Sequence, residues 1–319
     1  MALITKYGSI WGAIPNTAGR VFWVAPTSPY LVEGRAYDAS DGNDGLSPER
    51  ALSTINRATV LATANAGDVI VMLPGTHSLT VAVTASVAGI TYMGLPSGAG
   101  NKIFQRTVIA GTTAANVINL TATDCEFAYL HVRPSVGQIA LDVSAGGERA
   151  NIHHVSFDMF TAAASISTRG VNFSGAAAHA IISDCTFLVA GAQGGAVTIG
   201  AGTDTIVQDC DFILRSGTWA AAARAGAAGG ARNVIRRCNF MVPGATATLT
   251  AGIDGSAADI AMGYYLNHCT FGATSVSPGG VIVRAVDNFG ATTVTAIECY
   301  ASAVDITSSF IQTLVLYNT

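Results

Sequence analysis

The chain carries little charge and almost no lysine. Charged residues make up 11% of its 319 positions, and of the 16 basic residues only Lys6 and Lys102 are lysines. A net charge of −4 supplies no global field for nucleic acid, so no nucleic-acid partner is expected. No apolar run reaches about 18 residues, so the pattern of a membrane-spanning helix is missing and no membrane partner is expected. The opening MALITKYGSIWG breaks its apolar residues with Lys6, Tyr7 and Gly8, which is not the pattern of a secretory leader; synthesis in the cytosol is expected. The six cysteines never fall in CxxC spacing and no HxxxH occurs, so neither zinc nor any other cofactor is expected.

What is present is half hydrophobic and holds 35 glycines, the profile of a well-packed chain with many tight turns. The phrases IISDCTF, IVQDCDF, VIRRCNF and YLNHCTF place a cysteine two residues before a phenylalanine again and again. Aligned on that pair, the chain gives Cys125/Phe127, Cys185/Phe187, Cys210/Phe212, Cys238/Phe240, Cys269/Phe271 and Cys299, with Ser156/Phe157 filling the gap after the first. The steps run from 25 to 31 residues, the period of stacked supersecondary units. Each unit also holds a second strand-like phrase, such as LDVSAGG, VNFSG, VTIGAG or GIDGS, that alternates and ends at Gly or Ser. No unit has room for a helix of ten residues. These features predict an all-β fold, a right-handed parallel β-helix over 68–319 with roughly nine rungs about 4.8 Å apart. The Cys and Phe columns are then inward-facing ladders, cysteine serving as a small buried hydrophobe and Ser156 filling the same slot.

Ahead of the repeats, 36–67 reads as a turn and one amphipathic capping helix, with Ser47 as N-cap, Pro48 at the first helical position and Gly67 as the stop. Residues 1–35 differ in kind. Tyr7, Trp11, Phe22 and Trp23 are interleaved with Gly and Pro without a regular pattern, which predicts an attachment arm whose aromatics make assembly contacts. Trp219, in the low-complexity stretch SGTWAAAARAGAAGGARN, reads as loop or interface. Around it Arg215, Arg224, Arg232, Arg236 and Arg237 stand in a segment with no acid between Asp211 and Asp254.

The stretch AYDASDGNDGLSPERALSTINRA followed by AGDVIVMLPGTH resembles the leading segment of the pectate-lyase-like β-helix superfamily. With the aromatic segment before it, it is similar to the start of β-helical proteins of tailed bacteriophages. The resemblance implies a parallel β-helix and a virion role as head decoration, spike or tail appendage. It also implies a homotrimer that contacts other virion proteins through 1–35 and a host-surface glycan elsewhere. The alternative it implies is a polysaccharide lyase or glycoside hydrolase of the same fold. The hydrolase signatures NxD, DD, GHG and RxK are absent.

For chemistry, the residues before the cysteines are the candidates: Asp124, Asp184, Asp209, Arg237 and His268, one outward line that changes from acid to base. Within it Asp184 and Asp209 are the catalytic candidates. DASDGNDG fails the calcium-loop spacing and reads as a tight turn. His153 and His154, adjacent on a strand, are expected to point to opposite faces.

Overall fold

In a computed structural model the described residues are 19–319, except 33, 96–106, 113–115, 160–167, 191–194, 201–202, 226–231, 244–246, 255–263, 274–280, 288–293, 303, 306–310 and 317–319. They wind as a parallel β-helix with three faces. A nine-stranded sheet forms the third face, and the first and second faces run together as a sheet of 19 strands. The first face climbs through Val69–Met72, Thr91–Gly94, Glu126–Ala128, Asn151–His153, Ile181–Ser183, Ile206–Gln208 and Asn233–Arg236. The second climbs through Gly75–Leu79, Thr107–Gly111, His131–Arg133, Ser156–Asp158, Thr186–Ala190, Asp211–Ser216 and Asn239–Val242. The third climbs through Val83–Ala85, Ile118–Leu120, Ile139–Val143, Arg169–Phe173, Val197–Ile199, Thr218–Ala225 and Thr248–Asp254.

From Ala128 to Thr270 the corner between the first and second faces is two residues in six successive rungs: Tyr129-Leu130, His154-Val155, Asp184-Cys185, Asp209-Cys210, Arg237-Cys238 and His268-Cys269. The first of each pair has a positive φ of 50–56°. One left-handed residue turns the strand sharply, and the next drops into the core. Along this corner the backbone stays in register, because Ser156, Thr186, Asp211, Asn239 and Thr270 each donate N–H to the carbonyl of the residue one rung below.

This register corrects the alignment made from sequence. Phe157, Phe187, Phe212, Phe240 and Phe271 form one column behind the second face, neighbouring ring centroids 4.7–4.9 Å apart and nearly parallel. Phe127 belongs to a different column, behind the first face, where it stacks on Tyr92 at 4.9 Å and continues upward as Ile152, Ile182, Val207 and Ile235. Cys125 likewise lies outside the ladder of Cys185, Cys210, Cys238, Cys269 and Cys299. The slot assigned to Ser156 is filled by Val155, whose carbonyl accepts from Thr186 N, and Ser156 itself lies on the outward side of the second face. All six cysteines are buried free thiols. Burial pushes Cys210 and Cys238 well above the usual thiol range, and a contact with Cys238, then burial, raises Cys269 to about 12.

The expected single helix splits in two. Pro48–Arg50 is one 3-10 turn and Ile55–Leu61 an α-helix. The break has a cause: Leu52 donates its N–H to Trp23 O at 2.8 Å and accepts from Ala25 N, so this segment joins the sheet edge. Thr54, not Ser47, then caps the helix, its hydroxyl accepting from Arg57 N at 3.1 Å. Ile55, Ala58 and Thr59 press onto the end of the rod, where Thr59 Oγ1 meets Tyr92 Oη at 3.1 Å.

Nor are residues 19–35 a free arm. Val21–Val24 pairs in parallel with Val69–Met72 and is the terminal strand of the first face. The antiparallel strands Tyr30–Val32 and Arg35–Tyr37 help build a second apolar cluster with Trp23, Ala51, Val69, Val71, Met93 and Ala128. Phe22 and Trp23 are buried in their own chain and are core residues, not contact residues. Tyr7 and Trp11 lie outside the described residues. Trp219 is corrected in the same way: it faces inward from the third-face strand Thr218–Ala225 and is fully buried.

Candidate functional site

Alternation along the third face sends Leu141, Val143, Val171, Phe173, Val197, Ile199, Ala223 and Ile253 into the core. The residues between them form an outward row that the register holds in line: Thr84, Asn119, Asp142, Asn172, Thr198, Arg224 and Asp254. Every member is polar, over seven successive rungs. A second outward row, on the second face, is polar over six rungs, His131, Ser156, Thr186, Asp211, Asn239 and Thr270, whereas its neighbour there carries Leu188, Ile213 and Met241 and the first face carries Ile181, Ile206 and Val234 in line.

The row is knit across rungs. Asn172 Nδ2 donates to Asp142 Oδ1 at 2.6 Å, and Ser174 Oγ donates to Asp142 Oδ2 at 3.0 Å. Arg169 Nη1 donates to Asn172 Oδ1 at 2.6 Å, and Arg224 Nε lies 3.5 Å from Asp254 Oδ2. Burial first, then the charge of Arg224, lowers the pKa of Arg169, against the opposing pull of Asp142. Asp142 and Asp254 stand four rungs apart, about 19 Å at the usual strand spacing.

Asp184 and Asp209 fall elsewhere, at the left-handed corner between the first and second faces. Arg237 grips Asp209 through Nε and Nη2 at 2.7 and 2.6 Å. A second left-handed corner, where the third face returns to the first, repeats the device: Arg149 holds Asp124 and Arg232 holds Asp204, each through two hydrogen bonds of 2.6–2.7 Å. The arginines of 215–237 therefore do not gather as one patch. Arg232, Arg236 and Arg237 each bind a residue one rung below, Arg236 taking Gln208 Oε1, and Arg224 belongs to the third face.

Two further clusters were not legible in the sequence. His153 Nε2 meets Glu126 Oε1 at 2.6 Å, and Thr91 Oγ1 donates to Glu126 Oε2 at 2.9 Å; His153, then Thr91, hold this carboxyl below its usual range in spite of burial. His154, at the corner, turns back so that its Nδ1 lies 3.0 Å from that of His153, which overturns the expectation of opposite faces. On the second face His131 Nε2 meets Asp158 Oδ2 at 3.2 Å with Ser156 beside His131 in register. Ser156 is fully buried and its hydroxyl makes no hydrogen bond, so the three do not form a nucleophilic relay. Among the described residues no three His, Cys, Asp or Glu side chains converge as a metal set.

No protein-family model and no curated protein matches the chain. Solved structures do. A pectin methylesterase from Yersinia enterocolitica matches with a TM-score of 0.54 at 12% identity, over 83% of this chain and 95% of that one. The pectate lyase Pel9A matches with a TM-score of 0.53 at 11% identity, over 95% of this chain and 81% of that one. The fold is a parallel β-helix, as in these two proteins. At such identity the likeness is one of fold.

Proposed function

We propose that the protein is a polysaccharide-acting β-helix whose glycan lies along the third face. The observation that carries this reading is the unbroken polar row from Thr84 to Asp254, amide, hydroxyl, carboxylate and guanidinium groups set about one rung apart along a straight axis. A linear polymer with repeating hydroxyls needs such a row and a compact ligand does not. The two matched folds, a pectate lyase and a pectin methylesterase, support the choice of polymer. The separation of Asp142 and Asp254 does not suit hydrolysis by a carboxylate pair, which works at about 5–9.5 Å. Lyase chemistry is the cleavage to look for first. The test is incubation with a panel of plant, algal and bacterial polysaccharides, followed by binding and by the appearance of unsaturated or reducing ends. Asp142→Asn and Asn172→Ala are expected to weaken binding about tenfold; unchanged binding in both would remove the third face from the function.

A second reading rests on the resemblance of 36–77 and the aromatic leading segment to tailed-phage β-helices. It makes the chain a homotrimeric head decoration, spike or tail appendage that assembles in the host cytoplasm and grips a host-surface glycan. The two readings share the glycan row. Fractionating particles on a density gradient tests the second: the chain sediments with intact virions at a fixed stoichiometry if it holds, and stays with free protein if it does not.

A further inference from the structure

Within the third-face row one spot is polar beyond its own needs. Thr198 is 6% exposed, and its Oγ1 is buried with no hydrogen-bond partner. The Nε atoms of Arg169 and Arg224 are also buried without a hydrogen-bond partner. Asn172, Thr198 and Arg224 are consecutive in the row, and Arg169 reaches it by its bond to Asn172 Oδ1. Three orphan donors on neighbouring rungs are a cost that a folded chain rarely carries without a ligand or water to meet them.

The charges are unbalanced in the same sense. Arg169 spends its Nη1 on an amide oxygen, and no carboxylate of the described residues pairs with it. Asp142, the nearest acid along the row, has both oxygens occupied by the neutral donors Asn172 and Ser174. At 3.5 Å, the contact of Arg224 Nε with Asp254 is an ion pair that leaves the Nε–H without a hydrogen bond. Arg224 is close enough to Arg169 for the two guanidinium charges to repel. Gly195, at φ +124°, lies against the pair: a Cβ there would stand 3.5 Å from Thr198 Oγ1 and 3.8 Å from Arg224 Cβ.

We propose that Arg169, Thr198 and Arg224 form an anion subsite that takes one charged substituent of a sugar, a carboxylate or a sulfate ester, and so makes this a reader of acidic polysaccharide. The inference rests on the third face being the glycan face. The guanidinium fork matches either oxyanion, the Thr198 hydroxyl supplies one more donor, and the Arg224 side chain, 36% exposed, is the part of the subsite that solvent reaches.

The test is calorimetric titration of the full chain with size-matched oligosaccharides of one backbone type: a uronate oligomer, a sulfated oligomer and the uncharged parent. The uronate or the sulfated oligomer is expected to bind at least tenfold tighter than the parent, and whichever does so names the source of the anion. Arg169→Gln and Arg224→Gln are each expected to lose about tenfold toward the charged oligomer and little toward the parent. Thr198→Val, nearly isosteric, loses a few-fold while unfolding at the same denaturant concentration. Equal binding of charged and neutral oligomers, or charged binding untouched by both arginine variants, overturns the subsite. If the neutral oligomer binds and Asp142→Asn weakens it while Arg224→Gln does not, the glycan face stands and the anion subsite falls. If no oligomer binds but free glucuronate or sulfate does in an Arg224-dependent way, the subsite stands and the glycan face falls.

Discussion

The phrase Asp-Cys-x-Phe occurs at Asp124–Phe127 and again at Asp184–Phe187, and the molecule uses it in two different places. The first turns the chain from the third face into the first, and its ring stacks on Tyr92. The second turns the chain from the first face into the second, and its ring stands in a column of five. In both, the aspartate has φ above +50°, the cysteine is buried and the phenylalanine points inward. What the phrase encodes is therefore a corner: a left-handed residue, a small core residue, an outward position and an inward one. Which of the two corners it builds is settled by the residues around it.

Substitutions made in pairs, one at each corner, test that equivalence. The largest effect is expected from the rings. Phe212→Ala removes a ring stacked on both sides, at 4.9 and 4.7 Å, and should cost about 3–5 kcal/mol in denaturant unfolding. Phe127→Ala, with one stacked neighbour among the described residues, should cost measurably less. Equal losses would mean that stacking adds nothing to burial.

Next in size is the foot of the second-face column, where His77 is in register with Ile109 and thus with the phenylalanines above. Burial lowers its pKa to about 4, against the pull of its bond to Leu73 O. The unfolded chain then binds a proton between pH 6.5 and 4 that the folded chain does not. Stability is complete above pH 6.5 and falls by about 3 kcal/mol as the pH drops to 4. His77→Leu should flatten that window in a pH series of unfolding midpoints, although it leaves the Leu73 carbonyl without this donor. An unchanged slope would show that His77 is charged in the fold.

Cys210→Ser and Cys125→Ser should each cost about 1 kcal/mol, since the hydroxyl is smaller but keeps a carbonyl in reach, such as Gln208 O at 3.1 Å from Cys210 Sγ. A reductant should change neither. The smallest shifts are expected from Asp209→Asn and Asp124→Asn, whose ion pairs with Arg237 and Arg149 are largely solvated. A large loss at either would make the corner, not the ring, the main source of stability.

The solenoid, its period and the second-face ring column were legible because one inward position repeats as phenylalanine from Phe187 to Phe271. The first-face column was not, since it changes from Phe127 to Ile152, Ile182 and Val207 and so carries no repeated letter. Ion pairs such as Asp209–Arg237 escaped because their partners are 28 residues apart, a separation that becomes contact only through the coil. The third-face row did leave a signal. LDV, VNF, VTI and GID share a strand-length alternation; the middle letter gives Asp142, Asn172 and Thr198, and the last letter of GID gives Asp254. Their alignment needs the unequal turns between rungs, which the period alone does not supply. The arm assigned to 1–35 failed in part because Phe22 and Trp23 have the composition of a contact surface, while their pairing with Ile70 and Val71 is set by residues nearly 50 positions away.

The invariant two-residue corner also separates the length of this molecule from its cross-section. Because every rung from Ala128 to Thr270 leaves the first face in the same phase, a segment such as Asp211–Cys238 is a genetic cassette: deleting or duplicating it would shorten or extend the rod by one storey with every interior column still aligned. The face that holds the polar row would change length with it. Evolution can thus tune how long a polymer the surface spans by copying a unit, without redesigning a single packing contact inside.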